Sequence, residues 1–412
     1  MSPQISTRRG IAVAIACLTT CFAVATVYSS QAVFSDISIK YGMSVSDARF
    51  AFSICSIAYA LAFFVLGPLS DFFSARILAA TGLLVAAGAT ALSALSANQL
   101  TFVLASAVQG ASAAAVPVAM FALLPRLARK DQLGTYFGLI IAASVVGITL
   151  GRAGMGLLTA SVGLSAAQMM SAIILLIMSI LLAALPKEPL TSTPRVGLDA
   201  YVRALRMLAS PDLVRLFATG FLLFFGYLGA VTFLTLRLNE PPFALDSNTI
   251  GSISLLGLGA VLGAPISGRL TARHGSLTVG VVGLSIVMGA IACLALAESL
   301  TGIGGGLFLV FLGTFVCQPS VFVRIAERIP PDRRGAASSL YLLTCLGAGS
   351  LASAVLGPLW TAAGWAGVTT VCITATAISL SIFLLDASAR SPQGRRTEGS
   401  SFQGQQSHIS DT

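Results

Sequence analysis

Residues 77–125 read ILAATGLLVAAGATALSALSANQLTFVLASAVQGASAAAVPVAMFALLP, with Arg76 just before, Arg126 just after and no charge between. A bilayer core of roughly 30 Å takes about 20 apolar helical residues, so this stretch is long enough for two crossings. A second charge-free stretch lies between Arg334 and Asp386, and similar apolar runs recur along almost the whole chain. Lipid cannot satisfy open backbone groups, and these runs lack barrel-like alternation. The spans are therefore read as helices.

Composition agrees. Of 412 residues 56% are hydrophobic and 9% are charged, against about 25% charged in a typical soluble domain. That leaves no room for a large soluble domain. The seven cysteines (Cys17, Cys21, Cys55, Cys293, Cys317, Cys345 and Cys372) all sit in apolar runs. They show no metal-like pairing with histidine and read as small buried residues. Arg8 and Arg9 precede an apolar run that reaches Phe34. This is longer than a signal-peptide core, so it reads as the first span.

The expected fold is an all-α integral membrane protein with twelve transmembrane helices in two six-helix repeats. The spans are placed at 11–34, 48–69, 77–97, 100–124, 134–158, 164–185, 213–236, 248–270, 276–297, 302–323, 335–358 and 364–385. They divide the chain into an N-terminus (1–10), an N-terminal bundle (11–185), a linker with an amphipathic surface helix (186–212), a C-terminal bundle (213–386) and a disordered tail (387–412). Of the 24 Lys and Arg residues, 20 fall in one set of connections, three (Lys40, Arg49 and Arg237) in the other, and Arg152 lies within a span. Positive charge stays in the cytoplasm, which places both termini there. The net charge of +9 thus reflects topology, and no nucleic-acid partner is expected.

The halves resemble each other at a spacing near 200 residues. Pro68, Ser70 and Arg76 match Pro265, Ser267 and Arg273; Pro117 matches Pro319; Gly134 and Gly156 match Gly335 and Gly357. Repeats related by an axis along the membrane normal place a cavity between them and permit alternating access by rocking.

Two motifs carry chemistry. After span two comes Gly67-Pro-Leu-Ser-Asp71-Phe-Phe-Ser-Ala-Arg76. A carboxylate on a short loop can pair with a nearby arginine or a helix N-terminus in one rocking state and release it in the other. The plain alternative for Asp71 is a solvated turn charge. Span five carries Gly138, Gly147, Gly151, Arg152, Gly154 and Gly156, a spacing that lets helices approach closely. The first motif resembles the loop signature of the major facilitator superfamily, with Gly67, Leu69, Asp71 and Arg76 matching. The second resembles the antiporter signature of that superfamily's exporters, with Arg152 where the signature has proline and Met155 where it has glycine. The resemblance covers residues 10–386. It implies the two-bundle fold and secondary transport, in the manner of bacterial efflux permeases of the inner membrane.

Arg152 has two readings. A charge at the bilayer centre costs roughly 2.5–3.5 kcal/mol, so it serves a purpose or snorkels to an interface. Further cavity candidates are the polar side chains Tyr28, Gln31, Gln109, Tyr227, Gln318 and Tyr341. In span four, Gln109 and Gly110 match the family's proton-coupling pattern, but Ser106 stands in the arginine position. Asp36 is then the nearest acidic candidate. The expected function is secondary active export of a small molecule by alternating access, with protons as the candidate coupling ion. The expected partners are the lipid bilayer and the small-molecule substrate, with the monomer as the working unit. No cofactor, no metal and no catalytic residue are expected. An importer or facilitator of organic anions, with Arg152 facing the anion, is the alternative. A membrane-embedded enzyme or a sensor is more distant, because only two histidines exist and neither is in a span.

Overall fold

Among the described residues, the apolar runs become helices, several with ends marked by local chemistry. The computed structural model describes residues 3–128, 132–184, 210–245, 263–330 and 333–388, with Val202, Arg206, Ile253 and Val261. In the first half these are α1 (Pro3–Tyr28), a 3-10 turn (Ser29–Ala32), α2 (Phe34–Tyr41), α3 (Val45–Phe72), α4 (Ala75–Leu95), α5 (Gln99–Ala113), α6 (Ala115–Leu127), α7 (Leu133–Val162) and α8 (Leu164–Ala183). In the second they are α9 (Pro211–Asn239), α10 (Gly263–His274), α11 (Ser276–Leu296), α12 (Leu300–Arg328) and α13 (Arg334–Ser388). Among the described residues, ten stretches are long and apolar enough to cross a membrane. The last of them, Arg334–Asp386, has 53 residues, about 80 Å of helix and enough for two crossings. It divides at Gly364, whose φ of 61° is open to glycine but strained for other residues.

The spans differ from expectation in detail. The first run stops at Tyr28, and α2 follows as a separate short helix. Its Ile37 and Tyr41 are buried while Asp36 and Ile39 face outward, which is an amphipathic pattern suited to lying on a surface. Span four is interrupted at Ala114 between α5 and α6. Pro117 lies three residues further on and has no N–H to give the preceding turn. The start of span eight, the linker helix and the tail fall outside the described residues, apart from isolated positions.

Two of the three basic residues on the sparsely charged side have structural partners. Lys40 donates to the carbonyls of Ser93 and Ala94 at 3.0 and 2.9 Å and to the Gln168 side chain at 3.0 Å. Those carbonyls end α4, where a cation meets the negative pole of the helix. Tyr41 stacks on Phe102 with ring centroids 4.4 Å apart, and its hydroxyl donates to Ser93. In the second half Arg237 donates to the Ala297 carbonyl at 3.3 Å, at the end of α11, and lies 5.6 Å from the ring centroids of both Phe243 and Trp365. Each half thus closes the end of its third span with a cation.

A one-sided cleft between the halves as candidate functional site

The two bundles meet through glycines at the end that carries Arg76, Arg269 and Arg273. Gly67, near the end of α3, faces Ser339 of α13; a β-carbon there would lie 2.8 Å from the Ser339 Cβ. Gly268 of α10 lies on Gly134 of α7 so closely that a β-carbon would sit 2.2 Å from the Gly134 carbonyl carbon. Gly138 faces the Ala264 carbonyl, where a β-carbon would come to 2.3 Å. These are backbone contacts that any side chain would block. Gly67 of the first half and Gly268 of the second thus each meet the opposite half.

Behind the glycines lies an aromatic plug. Phe121 of α6, Phe137 of α7 and Phe322 of α12 stack with centroids 4.6–5.9 Å apart, and each is at most 2% exposed. Tyr341 of α13 meets Phe322 edge-on at 4.8 Å and fills the space left by Gly220. The plug joins both bundles toward the basic end. Phe121 and Phe322 again share the Gly134-to-Gly335 offset.

On the other side of the plug the walls carry polar groups. Phe311, Phe315, Gln318 and Phe322 recur at helical spacing along one face of α12. Phe311 meets Tyr227 of α9 at 5.3 Å, and Tyr227 meets Phe224 at 5.8 Å. Arg152 is exposed, lies 5.9 Å from the Tyr28 ring centroid and is within electrostatic reach of both Tyr28 and Tyr227. Tyr28 in turn meets Phe52 at 6.1 Å. Arg152, Tyr28 and Tyr227 come from three helices in two halves, and we take them as the walls of one candidate cleft. Among the described residues Arg152 forms no ion pair and donates no hydrogen bond. A separate pocket of about 240 Å³ between α1, α7 and α8 has no charged side chain in its lining.

The remaining sequence candidates are distributed as follows. Gly147 and Gly151 press α7 onto α1; their β-carbons would lie 2.3 Å from the Cys21 carbonyl and 2.2 Å from that of Ala25. Gly156 makes ordinary contact with Ala32 at 3.6 Å. The Gln109 amide donates to the Thr26 carbonyl at 3.0 Å and its hydroxyl at 2.8 Å, tying α5 to α1. Gln31 is half-buried in the 3-10 turn, and Gln318 is buried in α12 between Phe315 and Phe322. Arg76 donates to the Ala183 carbonyl at 3.0 Å, at the end of α8. The side chains of Asp71 and Arg126 lie outside the described residues, as does Arg129.

A sequence model of the Major Facilitator Superfamily matches residues 16–354. The chain is a member of that superfamily. It is 25% identical over 376 residues to the uncharacterized transporter YgaY of Escherichia coli O157:H7, covering 88% of this chain and 91% of that protein. Among solved structures it is similar to the human organic anion transporter MFSD10, with a TM-score of 0.72 at 19% identity over 93% of this chain and all of that one. It is equally similar to a bacterial homologue of the iron transporter ferroportin in the outward-facing state, with a TM-score of 0.72 at 17% identity, covering 92% and 99%. This superfamily member is a multi-pass membrane transporter, not an enzyme.

Sequence reasoning did not find the plug or one buried charge cluster. Asp386 of α13 is 2% exposed. Its Oδ2 accepts from Arg324 Nε at 3.0 Å and Nη2 at 2.5 Å, and from Arg328 Nη2. Arg328 also donates to the Asp212 carbonyl at 2.8 Å. The cluster fastens α9, α12 and α13 together at the basic end.

The glycine packing of α7 predicts a stability effect. Gly151→Ala places a methyl against the Ala25 backbone and should cost about 1–3 kcal/mol, the range for overpacking. A lower midpoint of thermal unfolding in detergent would show it, whereas Gly154→Ala should leave the midpoint unchanged, because nothing lies within 4 Å of Gly154.

Proposed function

We propose that this protein exports a small molecule by alternating access, and that the structure is its outward-open state. The observation that supports this is the location of the contacts between halves. Gly67, Gly134, Gly138 and Gly268, with the phenylalanine plug, close the basic end, while Arg152, Tyr28 and Tyr227 face the cleft beyond it. The excess of Lys and Arg assigns the closed end to the cytoplasm, with both termini.

The closed state is balanced for release. Ser339 Oγ is buried there with no hydrogen-bond partner among the described residues, and a buried unmade hydrogen bond costs about 1–3 kcal/mol. Opening the face would hydrate it. Asp71, in the last turn of α3, is the residue we propose biases the same equilibrium. The glycine signature on α7 supports export, and exchange for protons is the coupling proposed with it.

Uptake into inside-out vesicles tests the reading. Accumulation of compounds only under an imposed proton gradient, inside acid, is the expected result. Accumulation in right-side-out vesicles instead would establish import, and movement down the gradient alone a facilitator. Topology is tested by cysteines on a cysteine-free background. A cysteine at position 195 should be inaccessible to an impermeant reagent in whole cells; labelling there would overturn the orientation.

A further inference from the structure

We propose that the cleft binds amphipathic organic anions, with Arg152 receiving the carboxylate or sulfonate and the aromatic wall receiving the apolar body. The inference rests on the transporter reading and adds the chemistry of its cargo.

Three observations carry it. First, Arg152 is exposed within the cleft and has no ion-pair or hydrogen-bond partner among the described residues. Six other arginines are held by partners: Arg76 by Ala183, Arg215 by Asp212, Arg237 by Ala297, Arg324 and Arg328 by Asp386, and Arg334 by Ile329. A guanidinium presents a planar fork of donors that fits a carboxylate at two points. Second, Tyr28 and Tyr227, one from each half, lie within electrostatic reach of Arg152. Their hydroxyls are donors that could join the guanidinium on one anionic head group, so that the ligand bridges the two halves. Third, the surroundings are aromatic. Phe52 stands beside Tyr28 at 6.1 Å, and Phe224 and Phe311 stand beside Tyr227 at 5.8 and 5.3 Å. Such walls suit a flat apolar body, with few polar groups to fix its orientation.

Arg152 is also unsuited to mere anchoring. Its neighbour Gly151 is pressed against Ala25 of α1, and its guanidinium lies 5.9 Å from the Tyr28 ring centroid. Snorkelling would carry the charge away from the cleft. The apolar walls focus the field of the exposed guanidinium into the cleft, which favours an anion and opposes a cation.

The test uses purified full-length protein in lipid nanodiscs and three compounds with one ring system: naphthalene-2-acetate, its neutral amide, and 2-(2-naphthyl)ethylamine. Binding is read by thermal shift and by intrinsic fluorescence. The acetate should bind at least about tenfold tighter than the amide or the amine, and added salt should weaken it. Arg152→Ala should remove that preference, Arg152→Lys should keep part of it, and Tyr227→Phe should weaken the acetate severalfold without affecting the amide. If the acetate binds no better than the others, including no binding by any of them, the inference is overturned. It is equally overturned if Arg152→Ala, folded by its melting profile, retains the preference. Transport in vesicles is scored separately. Acetate binding without movement of any compound would refute the transport reading and leave the anion site standing. Transport of amide and amine independent of Arg152 would do the reverse.

Discussion

Gly268→Val should drive the protein out of the state seen here and cut transport at least tenfold. A β-carbon at position 268 lies 2.2 Å from the Gly134 carbonyl carbon and from the Thr135 nitrogen. Both are helix backbone, so no rotamer change relieves the clash; the halves themselves must separate. Overpacking of this kind costs about 1–3 kcal/mol, which moves a two-state equilibrium by roughly 5- to 150-fold. The buried position 339 reports the shift. In a cysteine-free background, Ser339→Cys should react slowly with an impermeant thiol reagent in inside-out vesicles, and at least fivefold faster when Gly268→Val is added. Gly289→Val is the control, since Gly289 has nothing within 4 Å. Equal labelling of Ser339→Cys with and without Gly268→Val would show that the glycine contact does not hold the closed face.

Asp386→Asn should destabilise the C-terminal bundle rather than alter gating. Its carboxylate is the shared acceptor of Arg324 and Arg328, whose side chains are 8% and 6% exposed. Removing the negative charge leaves two guanidiniums facing an amide in a buried site. Breaking a buried ion pair by deleting one partner costs about 3–5 kcal/mol. The expected results are a lower yield of folded protein and a lower midpoint of thermal unfolding. Adding Arg324→Gln to Asp386→Asn should recover part of the loss, because one uncompensated charge is then gone. An unchanged midpoint in Asp386→Asn would show that the pair contributes nothing net.

The spans were legible because their signal is coarse. The absence of charge from 77 to 125 needs no partner to be informative. The glycines of α7 were legible as packing positions, but spacing alone could not assign Gly147 and Gly151 to α1 and Gly138 to the other half. Arg152 was conspicuous, but the sequence did not show that its guanidinium lies 5.9 Å from the Tyr28 ring centroid, the contact on which the cleft proposal draws. Phe121, Phe137 and Phe322 were invisible, since a phenylalanine in an apolar span looks the same whether it faces lipid or its own kind. The repeat held the clue: the offset from Gly134 to Gly335 carries Phe121 onto Phe322. Asp386 was missed for another reason. It ends a span, and Arg324 and Arg328 were counted as loop charges, so nothing in the order of residues brought them together.

In the transport cycle proposed above, Arg152, which has no ion pair among the described residues, also has an electrical consequence. The empty carrier bears one uncompensated positive charge, whereas a carrier holding a monoanion bears none. One charge crossing the full membrane potential changes its energy by about 2.3 kcal/mol per 100 mV, and rocking moves Arg152 through some fraction of that field. The anion-loaded step should then be nearly indifferent to voltage, and the return step, in which Arg152 is without its anion and a proton travels in its place, should carry the voltage dependence of the whole cycle. Exchange of one anion for another, which never uses that return step, would run without current at any potential.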